Sequence, residues 1–253
     1  MTNSRLDHQI ARSRAVSLRL TCTAVLITAF ATLALAQVDP RARTLMEGLQ
    51  PRGGEEIRTL DQVTVITLEA EGGMEVRTRT VIDYEGRRAR IDTEVAPGMS
   101  ATVVIIDGEM QMRVGGMTLP MPPGVADQFG DVFDGDPNDP LADAESASYD
   151  GEVSYGELVS GEQVTVRGDT KVAGLDGGNE SRFVFDARGG LLAVVGESDE
   201  GTMLMVFDEP VHGSAAVGRS ATMYELRGSN VERWATIRFE DVRVNEPLDD
   251  GLF

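Results

Sequence analysis

Residues 76–80 read Val-Arg-Thr-Arg-Thr, and residues 90–93 read Arg-Ile-Asp-Thr. Successive side chains of a β-strand point to opposite faces of a sheet, so a pattern that repeats every two residues is typical of a strand with one covered and one solvated face. Residues 63–65, which read Val-Thr-Val, continue this period toward the N-terminus. These segments predict half-exposed antiparallel strands.

Short glycine-containing sequences separate the β-prone segments. Pairs such as Asp107-Gly108 and Gly115-Gly116 suit the tight turns of β-hairpins. Their spacing predicts a meander in which most sequential strands are neighbours. We expect strands near residues 57–69, 74–84, 87–95, 101–106, 109–114, 151–159, 163–172, 181–187, 190–197, 202–208, 221–227 and 231–244.

One amphipathic helix is predicted before the first strand. Asp39 can cap its N-terminus, Pro40 suits its first turn, and the pattern stops before Pro51. The apolar residues that recur at helical spacing are Ala42, Leu45, Met46 and Leu49. They predict a helix of about three turns with one apolar face.

Residues 120–148 interrupt the strand pattern. Residues 125–133 predict a short helical cover, and residues 134–150 predict an acidic surface loop. Four oxygen-bearing side chains in this loop have the spacing of a calcium-binding loop, but Asp139 stands where such a loop needs glycine. These four are Asp134, Asp136, Asn138 and Glu145. We expect no metal site, with calcium binding as the alternative.

The first 36 residues predict an export signal. Four arginines precede an apolar stretch that ends in Ala34-Leu35-Ala36, a small-residue sequence that a signal peptidase selects. We expect cleavage after Ala36 and a periplasmic location for residues 37–253, which can form a single domain. A retained membrane anchor and lipid attachment at Cys22 are the alternatives.

Composition excludes several classes of function. The chain has a net charge of −19, which argues against nucleic acid as a partner because nucleic-acid binding needs a basic surface. Beyond the signal there is no cysteine and a single histidine, His212, without a nucleophile motif nearby. Phosphate loops and dinucleotide fingerprints are also absent. We therefore expect a protein that is not an enzyme and has no cofactor. We also expect it to be a monomer.

Methionine provides the positive indication. Met110 and Met112 share one face of a predicted strand, and Met203 and Met205 share one face of another. Flexible, polarisable thioethers suit a surface that accepts apolar ligands of variable shape. Filling of the core and Cu(I) binding are alternative roles for these side chains.

Three segments resemble a known family. Residues 83–91 read Asp-Tyr-Glu-Gly-Arg-Arg-Ala-Arg-Ile, and residues 103–109 read Val-Val-Ile-Ile-Asp-Gly-Glu. Residues 239–253 close the chain with Phe-Glu-Asp-Val-Arg-Val-Asn-Glu-Pro-Leu-Asp-Asp-Gly-Leu-Phe. With the export signal and the amphipathic helix, this layout resembles the LolA/LolB superfamily of outer-membrane lipoprotein carriers.

The resemblance implies an α+β fold in which a strongly curved antiparallel sheet forms an incomplete β-barrel. An N-terminal helix and a short helical cover would lie over its concave face, and an apolar cavity would hold acyl chains. The implied function is a periplasmic carrier that moves lipoprotein acyl chains or other lipids toward the outer membrane, with donor and acceptor proteins at the membranes as partners.

Strand alternation and this resemblance together give candidate ligand-binding residues. They are Val65, Met110, Met112, Phe183, Phe185, Met203, Met205, Phe207 and Trp234. The carriers latch their lid with an arginine that precedes a proline, and the matching position here holds Tyr84 or Glu85. Arg88 and Arg90 are the candidate latch residues instead.

Two other functions fit the same sequence features. A periplasmic sensor or regulatory domain of the same fold would bind a protein partner instead of lipid. A structural protein of the envelope would account for the acidic, β-rich composition alone.

Overall fold

The alternating segments form one large antiparallel sheet in the structure, which is a computed structural model. It describes residues 37–50, 56–69, 72–96, 99–120, 133, 138–168, 171–172, 175–176, 180–198, 201–213, 219–228 and 230–253. Residues 38–253 form one compact unit. The export signal lies outside the described residues, as do residues 125–132 of the predicted helical cover.

The strands of the sheet are β1 (Gln37–Val38), β2 (Thr59–Leu68), β3 (Met74–Asp83), β4 (Arg88–Ala96), β5 (Met99–Ile106), β6 (Glu109–Val114), β7 (Met117–Leu119), β8 (Ala144–Tyr155), β9 (Val159–Gly168), β12 (Glu180–Phe185), β13 (Leu191–Ser198), β14 (Gly201–Val211), β15 (Ser220–Arg227) and β16 (Asn230–Val244). A separate small pair is formed by β10 (Lys171–Val172) and β11 (Leu175–Asp176). The helix α1 spans Pro40–Glu47, and a 3-10 helix spans Asp250–Leu252.

The strand order is β1-β8-β9-β12-β13-β14-β15-β16-β2-β3-β4-β5-β6-β7. Most neighbours follow one another in sequence, so the predicted meander is confirmed. Asp107 and Gly108 form the β5–β6 turn with φ of 50° and 83°, the left-handed backbone that a two-residue hairpin of this type needs. In the described part of the chain the edge strands β1 and β7 do not pair, so the curved sheet is an open barrel.

Helix α1 begins where the sequence predicts. The Asp39 carboxylate caps it by accepting hydrogen bonds from the backbone amides of Arg41 and Ala42, at 2.7 and 3.2 Å. The helix ends at Glu47, one turn earlier than expected, and Leu49 is buried just beyond it. The predicted apolar face is confirmed, since all four of its residues are buried.

One cluster of buried side chains joins α1 to the sheet. The cluster includes residues of every strand from β8 to β16 in the strand order. Because the sheet is curved, these residues can surround a helix of only eight residues. We call the face of the sheet that carries α1 the inner face and the opposite face the outer face. A second cluster, formed by β2–β6, lies on the inner face of the other half, because Ile66 of β2 packs against the first cluster and Leu60 has the same parity.

The β8–β9 hairpin differs from the prediction. β8 begins at Ala144, inside the segment expected to form the acidic loop, and a bulge near Gly151 lets the strand continue to Tyr155. The predicted strand bounds leave residues 160–162 between two strands, but Gly161 lies within β9, where the backbone carbonyl of Phe185 leaves no space for a side chain. The sequence shows where the glycines lie along the chain, but it does not show how closely a neighbouring strand approaches them.

Candidate functional site

The two faces of β2–β7 differ completely in charge. Strand register places inner-face residues of neighbouring strands opposite one another, and we call each row of opposed residues across the strands a ladder. The opposed pairs run from Leu60 and Ile82 on β2 and β3 to Met112 and Leu119 on β6 and β7. None of the described inner-face side chains on these strands is ionisable. They are Leu60, Gln62, Thr64, Ile66, Leu68, Met74, Val76, Thr78, Thr80, Ile82, Ala89, Ile91, Thr93, Ala101, Val103, Ile105, Met110, Met112, Val114, Met117 and Leu119.

The outer face of the same strands carries the charges. Its ionisable residues are Asp61, Glu75, Arg77, Arg79, Asp83, Arg88, Arg90, Asp92, Glu94, Glu109 and Arg113. Arg79 binds Asp61 through two hydrogen bonds of 2.9 and 2.8 Å, which raises the pKa of the Arg79 guanidinium. The charge that the sequence places on these strands therefore lies on one side of the sheet only.

The inner face of β2–β7 has a buried floor and a more accessible margin. Ile82, Ala89 and Ile105 are buried, together with Ile91 and Val103. Towards the β7 edge the burial decreases: Met110, Met112 and Val114 are half-buried, Met117 is 66% exposed and Leu119 is 37% exposed. An apolar surface thus extends from the core to a described sheet edge.

Phe133 lies on this same surface. It packs against the cluster of β2–β6, and its ring centroid lies 5.6 Å from the guanidinium carbon of Arg87 in the β3–β4 turn. Burial raises the pKa of Tyr84, which packs on the same cluster. Aromatic side chains thus border the apolar surface at the end of the strands that carries Leu60 and Ile82.

Most of the predicted binding residues lie in the other half of the inner face. Phe183, Phe185, Met205 and Phe207 belong to the cluster beneath α1 and are at most 4% exposed. Because the helix fills that half of the sheet, these side chains form a packed core. Met110 and Met112 lie in the cluster of β2–β6, on the same face but away from α1.

The other three predicted residues are Val65, Met203 and Trp234. Val65 is buried on the outer face, opposite Arg77 and Arg238. Met203 is half-buried on the inner face by strand alternation. Trp234 lies at the register shift between β15 and β16 and is 39% exposed.

The candidate latch residues Arg88 and Arg90 hold the C-terminal segment on the outer face. The guanidinium carbon of Arg88 lies 4.7 Å from the ring centroid of Phe253, and its Nη2 lies 2.6 Å from Asp83. Arg90 donates a hydrogen bond of 2.8 Å to the carbonyl of Leu252. These contacts hold the last residues of the chain against β4.

Neighbouring carboxylates respond to these arginines. Partial burial alone would raise the pKa of Asp92, but hydrogen bonds from Arg90 and Thr102 and the nearby positive charges lower it overall. The pKa of Asp83 is lowered in the same way: burial opposes the shift, while the Gly86 amide and Arg88 favour the charged form. The outer face around Arg88 and Arg90 is thus stabilised by ion pairs with Asp83 and Asp92.

Two clefts lie among the described residues, both away from the inner face of β2–β7. One, of 260 Å³, lies between the C-terminal segment and the outer face at Asp61, Arg79 and Arg243. The other, of 600 Å³, lies between the turns at Gly156 and Gly228. Both are surface features of the outer side.

Of the four residues considered for calcium binding, only Asn138 and Glu145 are among the described residues. Asp134 and Asp136 lie outside the described residues, and the Asn138 side-chain oxygen accepts a hydrogen bond from the Ile57 amide. The described part of the chain contains no group of three or more His, Cys, Asp or Glu side chains that could hold a metal ion. No helix within the described ranges has the length and hydropathy that crossing a bilayer requires.

Sequence reasoning missed most of the β2–β7 surface. Ile91, Val103 and Ile105 lie on it, and so does a row of threonines on β2–β4. The signal was present, since arginine and threonine alternate through β3. Only the register between strands shows that every threonine of this row shares the face of the apolar side chains.

Comparison with known proteins gives likenesses to solved structures but no match by sequence. No protein-family model matches the chain, and no curated protein matches its sequence. A solved structure of a LolA superfamily protein from Nitrosomonas europaea is similar, with 10% sequence identity, a TM-score of 0.40, and coverage of 84% of this chain and 96% of that chain. That protein belongs to the superfamily that the sequence resembles.

Proposed function

We propose that the protein is a periplasmic carrier that binds acyl chains of lipoproteins or other lipids on the inner face of β2–β7 and moves them toward the outer membrane. The single observation that carries this proposal is the absence of ionisable side chains on the described part of that face. In a chain with 26% charged residues, a face that excludes charge across six strands indicates a surface adapted to an apolar partner.

The energetics suit an acyl ligand. Each methylene group transferred from water to an apolar surface contributes about 0.8 kcal/mol, so a chain can bind without a strong polar anchor. The half-buried Met110 and Met112 can adjust to chains of different length because the thioether side chain is flexible. The accessible margin at Met117 and Leu119 supplies a route onto the surface.

The division of the sheet into two halves supports the same role. Beneath α1 the inner face is filled by Phe183, Phe185 and Met46, all at most 1% exposed, so this half forms a rigid scaffold. The other half keeps apolar side chains accessible towards the β7 edge, at Met112, Met117 and Leu119. Ligand binding on one half need not disturb the packing of the other.

Transport is supported by charge and by the export signal. A net charge of −19 disfavours lasting adsorption of the protein to anionic membrane surfaces, which suits a protein that must leave one membrane for another. The expected cleavage after Ala36 would release residues 37–253 into the periplasm. Donor and acceptor proteins at the membranes complete the proposal.

A regulatory domain that binds a protein partner is the second candidate. One observation favours it: β7 is an edge strand with two exposed apolar side chains and no charge, a strand that an extended segment of another protein could extend. Such a protein would be recovered with a stable protein partner and without lipid.

The test is the recovery of bound lipid. The full chain, expressed with its export segment and purified from the periplasmic fraction without detergent, is analysed by native mass spectrometry before and after organic extraction. We expect a mass excess that extraction removes and that matches acyl-containing species. Recovery without acyl species, together with no binding of a fluorescent fatty-acid or monoacylglycerol probe, would contradict the proposal.

A further inference from the structure

A polar patch interrupts the apolar inner face of β2–β4. It consists of Gln62, Thr64, Thr78, Thr80 and Thr93, which strand register places next to one another. The Gln62 amide donates a hydrogen bond of 3.0 Å to the Thr64 hydroxyl, and the hydroxyl oxygens of Thr78 and Thr93 lie 3.3 Å apart. All five side chains are half-buried.

Some donor and acceptor groups of the patch make no side-chain hydrogen bond within the described residues. A threonine hydroxyl can donate one hydrogen bond and accept two, and a glutamine amide has two donor hydrogens and an acceptor oxygen. Within the described residues the Thr80 hydroxyl makes no side-chain hydrogen bond, and Gln62 uses only its nitrogen. A half-buried group of this kind can accommodate a ligand atom that both donates and accepts.

Among the described residues of β2–β7, no charged side chain shares the face of the patch. The nearest arginines along β3 and β4 point to the outer face, where Arg79 pairs with Asp61 and Arg90 pairs with Asp92. An anionic group brought onto the patch would lose water without gaining a countercharge, which is costly. Hydroxyl, ester and amide groups carry no such cost.

We propose that this patch binds the uncharged polar part of a lipid, such as the ester and hydroxyl groups of an acylglycerol, while the acyl chain lies on the adjacent apolar ladders. This inference rests on the proposed function. Ile91, Val103 and Met112 continue the ladder of Thr80, and Ile82 and Ala89 form the next ladder. Adjacent ladders on one face are about 7 Å apart, so one ligand can contact both.

The experiment compares three probes with related chains: 1-monolaurin, laurate and dodecane. The measurement is displacement of the neutral dye Nile red from the full chain by each probe at neutral pH, where laurate is an anion. We expect monolaurin to bind about tenfold more tightly than laurate, because only the neutral head group retains its hydrogen bonds without an unpaired charge. Dodecane has no polar group, so its affinity measures binding to the apolar surface alone.

The matched variants are Thr78→Val with Thr80→Val on the inner face, and Thr67→Val on the outer face of β2. Valine keeps the shape of threonine and suits a strand, so all of these proteins should fold. We expect the double variant to bind monolaurin about tenfold more weakly while its affinity for dodecane is retained. Thr67→Val should leave both affinities unchanged, because the Thr67 side chain lies on the other face.

The outcomes separate this inference from the proposed function. If dodecane displaces the dye but laurate binds as tightly as monolaurin, or if the double variant keeps its affinity for monolaurin, the neutral head-group site is wrong and the apolar surface remains. If none of the three probes displaces the dye or binds in a direct titration, both proposals are wrong.

Discussion

Thr78 and Thr93 lie directly opposite each other on the inner face of β3 and β4, with their hydroxyl oxygens 3.3 Å apart. The next opposed pair along these strands is Arg79 and Asp92, on the outer face. A shift of one residue in either strand would bring the charged side chains of that strand onto the inner face, so the register of this hairpin maintains the separation of charge.

The core beneath α1 predicts a large effect of truncating Met46. This side chain is fully buried among residues of the sheet, so Met46→Ala should lower the free energy of unfolding by about 2–5 kcal/mol. Urea denaturation followed by circular dichroism measures the change. Glu47→Ala, on the exposed side of the same helix, should change it by about 0.5 kcal/mol or less. Equal effects of the two substitutions would show that α1 does not pack as described.

The contacts of Arg88 and Arg90 with the C-terminal segment predict that their loss changes stability without changing ligand binding. Phe253→Ala removes the ring beside Arg88 and should cost about 1 kcal/mol. Proteolysis of the C-terminal segment should become faster. Acyl affinity should stay the same, because Arg88 and Phe253 lie on the outer face. A marked loss of acyl affinity in this variant would instead favour the latch role that the sequence predicts for Arg88.

Acid should weaken the fold through Asp83 and Asp92. Both have a pKa below the ordinary value of 3.8 in the folded protein, whereas the unfolded chain regains that value. Between the two values the unfolded state binds more protons, so the stability that these carboxylates contribute is complete above the ordinary pKa and is lost as the pH falls through the folded pKa. Urea denaturation from pH 7 down to about pH 3 measures this loss.

Asp92→Asn tests the cause of the acid effect. The variant should be less stable than the unmodified protein at pH 7, and its stability should depend less on pH below about 4. Glu94→Gln is the control, because Glu94 is exposed and has no side-chain hydrogen bond within the described residues. If Asp92→Asn leaves the pH dependence unchanged, the ion pair with Arg90 does not stabilise the fold.

The sequence predicts the strands well because their alternation and their turns are local properties. β6 has the predicted bounds, and the N-cap at Asp39 is also as expected. The β8–β9 turn was misplaced because Gly151 and Gly161 serve as a bulge residue and as a site of close approach between strands. Both roles depend on a neighbouring strand that is distant in sequence.

The candidate site was less predictable for the same reason. Alternation groups Phe183 with Phe185 and Met110 with Met112, but it cannot say which pair the helix covers. The position of α1 decides this, because its buried residues fill the half of the sheet around Phe183. Val65 shows the remaining difficulty: it alternates correctly within β2, yet it lies on the outer face, opposite Arg77 and Arg238.

The most direct test of the central claim compares two neighbouring substitutions on β6. Met112→Glu places a carboxylate on the inner face, and Gln111→Glu places the same group on the exposed outer face. Fluorescence titration with an acyl probe should give at least about tenfold weaker binding for Met112→Glu, because the charge must be desolvated beneath the ligand, and unchanged binding for Gln111→Glu. Circular dichroism confirms that both are folded, and Met112→Gln separates charge from shape. Equal acyl affinities for the two glutamate variants would contradict the assignment of the inner face of β2–β7 as the lipid-binding surface.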